Sequence, residues 1–281
     1  MLESIEVAGF SLGVTVSEPA EGAKAGVTII YLHGGGLLFG QRDDLPRAHL
    51  VRLTGAGHRV VALDYPLAPE TKLPQILDVV EAAVRTLVAM PELGCAELGY
   101  VLFGRSAGGY LALQATARLV ADDGVPGPAG VMDFYGYPAI TDPKMARPSA
   151  YYSKLAPVSE QVAMAHVGGA PTSGSLEERF LLYVYGRQQG RWMELIGAVT
   201  PEARAAHSLV GEALAQLPPV FACAGTADQD VPFSASRELR QKVARVTWLP
   251  VYDGEHDFDR DPSHPGGIEA YAKAIVWLET L

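Results

Sequence analysis

The stretch "LFGRSAGGY", residues 102–110, decides the fold, because it places a serine between glycines at a change of sequence pattern. Before it, "GYVLFG" (99–104) is a continuous apolar run typical of a buried strand. After it, "AGGYLALQATARLVADDG" (107–124) has the composition of a helix. G-x-S-x-G between a strand and a helix predicts a sharp turn that holds Ser106 in a sparsely allowed backbone conformation. Small residues for packing the helix on the sheet are the alternative explanation.

Further buried strands and helices are predicted on both sides of this turn. Continuous apolar runs predict strands at "VTIIYL" (27–32), "RVVALD" (59–64), "GVMDFYG" (130–136), "PVFACAG" (219–225) and "VTWLPV" (246–251). Helical patterns occupy "LPQILDVVEAAVRTLVAM" (73–90) and "GGIEAYAKAIVWLETL" (266–281). Their alternation predicts an α/β fold with a mostly parallel central sheet flanked by helices. The alternating stretch "IEVAGFSLGVTVSEP" (5–19) predicts an antiparallel hairpin at the sheet edge.

The segment from about 137 to 217 interrupts this alternation, because it has Pro-rich turns and short amphipathic pieces but no convincing strand. It is too long for a simple connection. We expect a helical lid insertion over the carboxyl ends of the strands, within one domain that spans residues 1–281. A separate small domain with its own core is the alternative.

Composition excludes several classes of protein. The 281 residues are 48% apolar and 19% charged, which is typical of a globular chain. A net charge of −10 argues against binding nucleic acid. The start "MLESIEVAGF" does not resemble a signal peptide, and no apolar run is long enough to span a bilayer. Because Cys95 and Cys223 form neither a CxxC pair nor a disulfide framework, we expect buried free thiols and a cytoplasmic protein.

A serine can act as a nucleophile when a base takes its proton and a carboxylate orients that base. Asp228 follows the strand "PVFACAG", and His256 follows the strand "VTWLPV". Both loops open on the edge of the sheet where Ser106 lies, because parallel strands all end there. Asp230 is the rival carboxylate, whereas surface, capping or loop roles suffice for the other histidines.

The run "LHGGGLLFG" (32–40) follows the first parallel strand and supplies the third requirement, hydrogen-bond donors for a developing oxyanion. Three consecutive glycines let bare backbone N–H groups approach a ligand. A flexible turn or a phosphate-binding loop is the alternative, although no P-loop Lys and Ser/Thr follow. His33 is interpreted as an organiser of this loop.

These motifs resemble the hormone-sensitive-lipase-like esterases of the α/β-hydrolases. The resemblance rests on "HGGG" (33–36), "DYPLAPE" (64–70), "GRSAGG" (104–109), "GTAD" (225–228) and "GEHDF" (254–258). It implies an α/β-hydrolase fold with Ser106 as nucleophile and with Asp228 and His256 completing a triad. It also implies an oxyanion hole formed by the N–H groups of Gly34, Gly35 and Ala107. Asp64 and Glu70 match acidic positions in a segment that supports the active-site loops.

The chain departs from the pattern of this family in three ways. Arg105 stands where an Asp commonly precedes the serine, and Pro66 replaces an Arg of the common D-Y-R-L-A-P-E. We expect Arg105 to contact Asp64, Glu70 or Glu255; the alternative is an exposed arginine without a partner. HGGG begins so early that the lid is expected from the 137–217 segment rather than from N-terminal helices.

The resulting expectation is a serine carboxylesterase that hydrolyses small, short-chain acyl esters. The substrate pocket is expected between Leu37, Leu38 and the insertion. No cofactor and no metal are implied, and the expected partner is a small-molecule ester rather than nucleic acid or membrane; a homo-oligomer is compatible with the sequence. A peptidase or amidase stays open, because "GTADQDVP" (225–232) also resembles the Asp loop of prolyl-oligopeptidase relatives. A lactonase and a non-catalytic ligand-binding protein of the same fold are further alternatives.

Overall fold

The computed structural model describes residues 2–122 and 124–281. Met1 and Asp123, the latter inside the predicted helical run 107–124, lie outside the described residues. The chain forms an eight-stranded sheet in the order β1-β2-β4-β3-β5-β6-β7-β8, in which β3 to β8 are parallel. The strands are β1 (Ser4–Val7), β2 (Phe10–Ser17), β3 (Thr28–Leu32), β4 (Arg59–Leu63), β5 (Tyr100–Arg105), β6 (Gly130–Phe134), β7 (Val220–Gly225) and β8 (Val246–Val251). The predicted mostly parallel sheet is therefore present.

Helices cover both faces of the sheet, because the parallel strands are apolar on both sides. In β3, Ile30 and Leu32 join one core cluster while Ile29 and Tyr31 join the other, as expected when successive side chains point to opposite faces. The helices are α1 (Arg47–Gly55), α2 (Leu73–Val88), α3 (Cys95–Leu98), α4 (Ala107–Val120), α5 (Glu160–Ala163), α6 (Leu176–Gln189), α7 (Trp192–Ile196), α8 (Pro201–Ala206), α9 (Glu212–Ala215), α10 (Phe233–Lys242) and α11 (Pro265–Leu278). The first cluster includes side chains of α2, α4 and α10, and the second those of α1 and α11.

The two edges of the sheet differ. The predicted hairpin is confirmed as β1 and β2, which pair antiparallel and extend the sheet beside β4. At the other edge, β8 has the predicted bounds but is not fully buried: Leu249 and Val251 are buried, whereas Thr247 is exposed. The apolar composition of 246–251 does not show that β8 is an edge strand, because that position depends on the order of the strands in the sheet.

The segment 137–217 contains α5 to α9 and three short 3-10 helices, Pro143–Ala146, Tyr152–Lys154 and Met164–His166. Its backbone touches the glycine loop after β3 through a single antiparallel bridge between Gly40 and Gly174. Its buried side chains, among them Tyr137, Leu182 and Trp192, pack in the same cluster as α2 and α4. The segment and the sheet therefore share one core on this face, and its action as a lid stays a prediction.

The loops that carry the candidate residues follow the carboxyl ends of β3, β5, β7 and β8. Because these strands are parallel, all four loops lie at the same end of the strands. Cys95 and Cys223 are both free and buried, in α3 and β7 respectively. Within the ranges 2–122 and 124–281, none of the helices combines the length and the apolar character needed to cross a bilayer.

Candidate active site

The turn between β5 and α4 holds Ser106 at a positive φ of 53°, as the G-x-S-x-G pattern predicts. Glycine is required beside it by close contacts. A Cβ on Gly104 would lie 2.0 Å from the carbonyl oxygen of Gly108, and a Cβ on Gly108 would lie 2.1 Å from that of Leu32. The turn therefore raises the serine above the sheet edge and lets α4 pack directly on β3.

The side chains of Ser106, Asp228 and His256 come together above this turn. His256 Nε2 lies 2.9 Å from Ser106 Oγ, and His256 Nδ1 lies 2.7 Å from Asp228 Oδ2. The other Asp228 oxygen accepts the backbone N–H groups of Asp230 and Val231, which fixes the carboxylate in this orientation. Between the two rival carboxylates, the geometry thus selects Asp228 as the partner of Nδ1.

The charge on His256 is controlled by opposing effects. Burial of the ring opposes protonation, but the nearby Asp228 carboxylate, helped by Asp257 and Asp230, outweighs burial and raises the imidazole pKa to about 9. The ring edge also packs on Tyr135, with the two ring centroids 4.9 Å apart. The site therefore stabilises the imidazolium form of His256.

The glycine loop after β3 presents its N–H groups because Tyr65 binds its carbonyl groups. The Tyr65 hydroxyl lies 2.9 Å from the His33 carbonyl oxygen and 3.2 Å from that of Gly34. The C=O and N–H of a trans peptide point in opposite directions, so the N–H groups of Gly34 and Gly35 point away from Tyr65. Among the described residues, neither N–H donates to a protein acceptor.

The N–H of Ala107 is oriented in the same way by the first turn of α4. Its peptide partner, the Ser106 carbonyl, accepts from the Tyr110 N–H at 3.2 Å, so the Ala107 N–H points out of the helix N-terminus. Gly34 lies against Ser106, since a Cβ on Gly34 would be 3.5 Å from the serine Cβ. The structure therefore places the backbone N–H groups of Gly34, Gly35 and Ala107 near Ser106.

Tyr65 is a functional residue that reasoning from the sequence missed. It also stacks on His33, with ring centroids 4.1 Å apart, and His33 Nδ1 lies 2.8 Å from the Gly34 carbonyl oxygen. Burial lowers the pKa of His33, which keeps this ring neutral. The "DYPLAPE" motif was the available signal for Tyr65, but only its acidic residues were singled out.

Ser106 and His256 open into a cleft of about 280 Å³. The prediction that Leu37 and Leu38 line the pocket is wrong, because both are fully buried in the core and absent from the cleft wall. A turn in which Leu37 and the two preceding glycines have positive φ directs these two side chains inward. The wall is formed instead by the loop glycines, by Phe39 and by insertion residues such as Phe180 and Tyr183.

The predicted partners of Arg105 are also wrong. Asp64 pairs with Arg42, and Glu70 pairs with Arg179 of α6. Arg105 is not an exposed arginine either, because its side chain is only 5% exposed.

Arg105 forms a buried cluster beneath the site with Asp259. Its Nη2 donates to Asp259 Oδ1 at 3.0 Å and its Nε donates to the Tyr135 hydroxyl at 2.6 Å. Tyr135 and Tyr271 both donate to Asp259, at 2.6 and 2.9 Å. Asp44 lies farther from the guanidinium, at 3.5 Å. Reasoning from the sequence missed Asp259, since nothing in "GEHDFDR" separates it from the neighbouring aspartates.

A second cluster joins the insertion to the loop after β7. Asp230 accepts hydrogen bonds from the hydroxyls of Tyr152 and Tyr183, and Arg187 Nη1 lies 3.1 Å from Asp230 Oδ1. Asp230 Oδ2 is also 4.0 Å from His256 Nε2. The three insertion residues of this cluster were not identified from the sequence.

No set of three His, Cys, Asp or Glu side chains in the part of the chain that the structure describes is arranged to bind a metal ion. The groups that meet at the site are the Ser106 hydroxyl, the His256 imidazole, the Asp228 carboxylate and backbone N–H groups.

A family described as having the alpha/beta hydrolase fold matches residues 29–259 of the chain. The chain belongs to this family. The predicted fold class and the predicted resemblance to α/β hydrolases are therefore confirmed.

Relatives of this α/β hydrolase include an ethyl acetate hydrolase of Pseudomonas putida, 28% identical over 255 residues that cover 90% of this chain and 73% of the relative. A Staphylococcus aureus structure of unknown function is 29% identical with a TM-score of 0.86, and the match covers 99% of this chain and 98% of that one. An Enterococcus faecalis α/beta hydrolase superfamily protein is 30% identical with a TM-score of 0.81, and the match covers 100% of this chain and 99% of that one.

Proposed function

We propose that the chain is a serine carboxylesterase acting on small, short-chain acyl esters. The observation that carries the proposal is the unbroken contact from Asp228 through His256 to Ser106 Oγ. The ethyl acetate hydrolase among the relatives supports a small ester as substrate. The cleft of about 280 Å³ onto which Ser106 and His256 open gives such an ester access to the reacting atoms.

In the first half of the reaction, His256 Nε2 takes the proton of Ser106 as Oγ forms a bond with the ester carbonyl carbon. The N–H groups of Gly34, Gly35 and Ala107 hydrogen-bond the oxyanion that develops on the carbonyl oxygen. The C–O bond to the alcohol then breaks, and Nε2 returns its proton to the leaving oxygen.

In the second half, a water molecule gives its proton to Nε2 and attacks the carbonyl carbon of the acyl-enzyme. The bond to Ser106 Oγ breaks, Oγ recovers the proton, and the carboxylic acid leaves. Asp228 stays hydrogen-bonded to Nδ1 throughout and orients the imidazole.

A fluorophosphonate probe combined with a series of p-nitrophenyl esters tests this proposal. We expect labelling of Ser106 and faster hydrolysis of the acetate and butyrate than of the dodecanoate. In Ser106→Ala, labelling should disappear and kcat should fall by about 10⁴-fold or more. Faster cleavage of aminoacyl p-nitroanilides than of the acetate would instead identify a peptidase, and absent labelling in folded protein would identify a binding protein.

A further inference from the structure

Asp230 is a second carboxylate beside the imidazole, and the reaction described above does not use it. Its Oδ2 lies 4.0 Å from His256 Nε2, the nitrogen that contacts Ser106. Asp230 and His256 together line both the 280 Å³ cleft and an adjoining cavity of about 410 Å³, which Tyr151, Leu155 and Gln229 also border. Asp230 therefore stands where the cleft continues past the reacting atoms.

The donors within residues 2–122 and 124–281 leave one acceptor position of this carboxylate unfilled. An ionised carboxylate offers about four acceptor positions. Its protein donors are one N–H of Arg187 Nη1 and the single protons of Tyr152 and Tyr183. Tyr183 is within hydrogen-bond distance of both oxygens, at 2.9 and 2.8 Å, so donating its proton to Oδ1 frees a position on Oδ2.

The free position is suited to a neutral hydroxyl. The Arg187 guanidinium already balances the charge of Asp230, and both side chains are only 7% exposed. An ionised carboxylate can only accept, so the group that it binds must be a donor. A hydroxyl supplies a proton without adding charge.

We propose that Asp230 binds a free hydroxyl on the alcohol part of the substrate, so that the preferred substrates are short-chain partial esters of diols and polyols. This inference rests on the proposed esterase function. During the reaction, His256 Nε2 faces the leaving oxygen. Asp230 Oδ2 lies 4.0 Å from the same nitrogen. A hydroxyl on the carbon next to the ester-bearing carbon spans that distance. Its hydrogen bond to Asp230 would hold the leaving oxygen against Nε2.

Two acetates of nearly equal size test the inference with the wild-type enzyme. 2-Hydroxyethyl acetate and n-propyl acetate differ by a hydroxyl in place of a methyl group. After each kcat/KM is divided by the rate constant for alkaline hydrolysis of the same ester, we expect the hydroxylated ester to be favoured by about tenfold or more. A ratio of one or less overturns the inference without requiring any variant.

Asp230→Asn and a matched control locate the effect. Asn keeps the size of the side chain but removes the charged acceptor, so the ratio should fall towards one. Glu70→Gln makes the same change in another buried pair with an arginine of α6, since Arg179 and Glu70 lie 2.8 Å apart. Glu70 is absent from the wall of both cavities, so Glu70→Gln should keep the wild-type ratio. Equal losses on both esters in Asp230→Asn would mean a structural role and would overturn the inference.

Failure of the inference and failure of the proposed function have different signatures. If the wild-type enzyme hydrolyses p-nitrophenyl acetate but does not favour the hydroxylated ester, the esterase function stands and the Asp230 subsite is wrong. If it hydrolyses none of the three esters, both are wrong.

Discussion

The molecule contains two clusters built from the same groups, one on each side of His256. Beneath the ring, Asp259 receives hydrogen bonds from Arg105, Tyr135 and Tyr271. On the insertion side, Asp230 contacts Arg187, Tyr152 and Tyr183. The clusters differ in access: the Asp259 side chain is fully buried, whereas Asp230 forms part of the cleft wall.

This difference separates a structural role from a binding role. Each carboxylate has one arginine and two tyrosines, so composition cannot distinguish them. The Asp259 cluster ties the turn before α4 to the loop that carries His256, and its carboxylate is fully enclosed, although Arg105 itself borders the cleft. The Asp230 cluster ties the insertion to the loop that carries Asp228, and its carboxylate lines the cleft. Access to the cleft therefore decides which cluster has a ligand to bind.

Arg105→Met should have the largest effect, because it leaves Asp259 buried without its counter-ion. Breaking a buried ion pair from one side costs about 3–5 kcal/mol in the free energy of unfolding. Urea denaturation measures this loss, and Arg105→Lys, which keeps the charge, should lose less. An Arg105→Met protein as stable as the wild type would show that the pair contributes nothing.

Arg187→Met breaks the equivalent pair on the insertion side and should cost less, about 1–3 kcal/mol, because water in the cleft can solvate Asp230. The same denaturation experiment gives the comparison directly. If Arg187→Met destabilises the protein as much as Arg105→Met does, then access to the cleft does not separate the two clusters.

Asp133 on β6 shows what happens to a buried carboxyl that has no arginine. No side chain within residues 2–122 and 124–281 donates to its oxygens, and burial raises its pKa to about 8 although the nearby backbone N–H of Gly136 opposes the rise. By contrast, although burial favours the neutral form of Asp259, Arg105 and the tyrosines outweigh burial and lower the pKa of Asp259.

The raised pKa of Asp133 means that the folded protein holds this proton more tightly than the unfolded chain does. The stabilisation is complete at acidic pH and is lost as pH rises towards 8. The side chain of the Asp133→Asn variant cannot lose a proton. The free energy of unfolding of this variant, relative to that of the wild type, should therefore increase by about 1 kcal/mol per pH unit as pH rises from 6 to 8. A difference that does not change with pH would mean that Asp133 is ionised throughout this range.

Asp257→Asn should have the smallest effect and tests the charges around His256. Because the neutral imidazole acts as the base, kcat/KM should rise with pH around a midpoint near 9, the raised pKa of His256. Asp257 is one of the carboxylates that raise this pKa, so Asp257→Asn should move the rising limb to lower pH. Asp253→Asn, which changes an exposed aspartate in the same loop, is the matched control. If the rising limb of the kcat/KM profile has the same midpoint in both variants and in the wild type, Asp257 has no influence on the pKa of His256.

Reasoning from the sequence succeeded where the chemistry depends on local pattern. Strand, turn and helix around Ser106 follow from apolar runs and from glycines that the backbone contacts require. The parallel direction of the strands then brings Asp228 and His256 to the same end of the sheet, because each residue lies in the loop after a strand.

It failed where a side chain's environment depends on distant segments. The sequence predicts Leu37 and Leu38 in the pocket, but a turn in which Gly35, Gly36 and Leu37 all have positive φ directs both leucines into the core. Arg105 was expected to contact Asp64, Glu70 or Glu255, because the sequence does not show that Arg42 and Arg179 already pair with the first two.

The sequence by itself determined the α/β class, the edge of the sheet where the candidate residues meet and the residue types available there, because periodicity and strand ends are local properties. Only the tertiary structure decided which carboxylate orients the imidazole, which one faces the cleft and which one is enclosed. Those roles depend on hydrogen-bond donors that arrive from segments up to 154 residues away, as Arg105 does for Asp259. Burial and distance in three dimensions, rather than residue type, set the charge and the accessibility of each group.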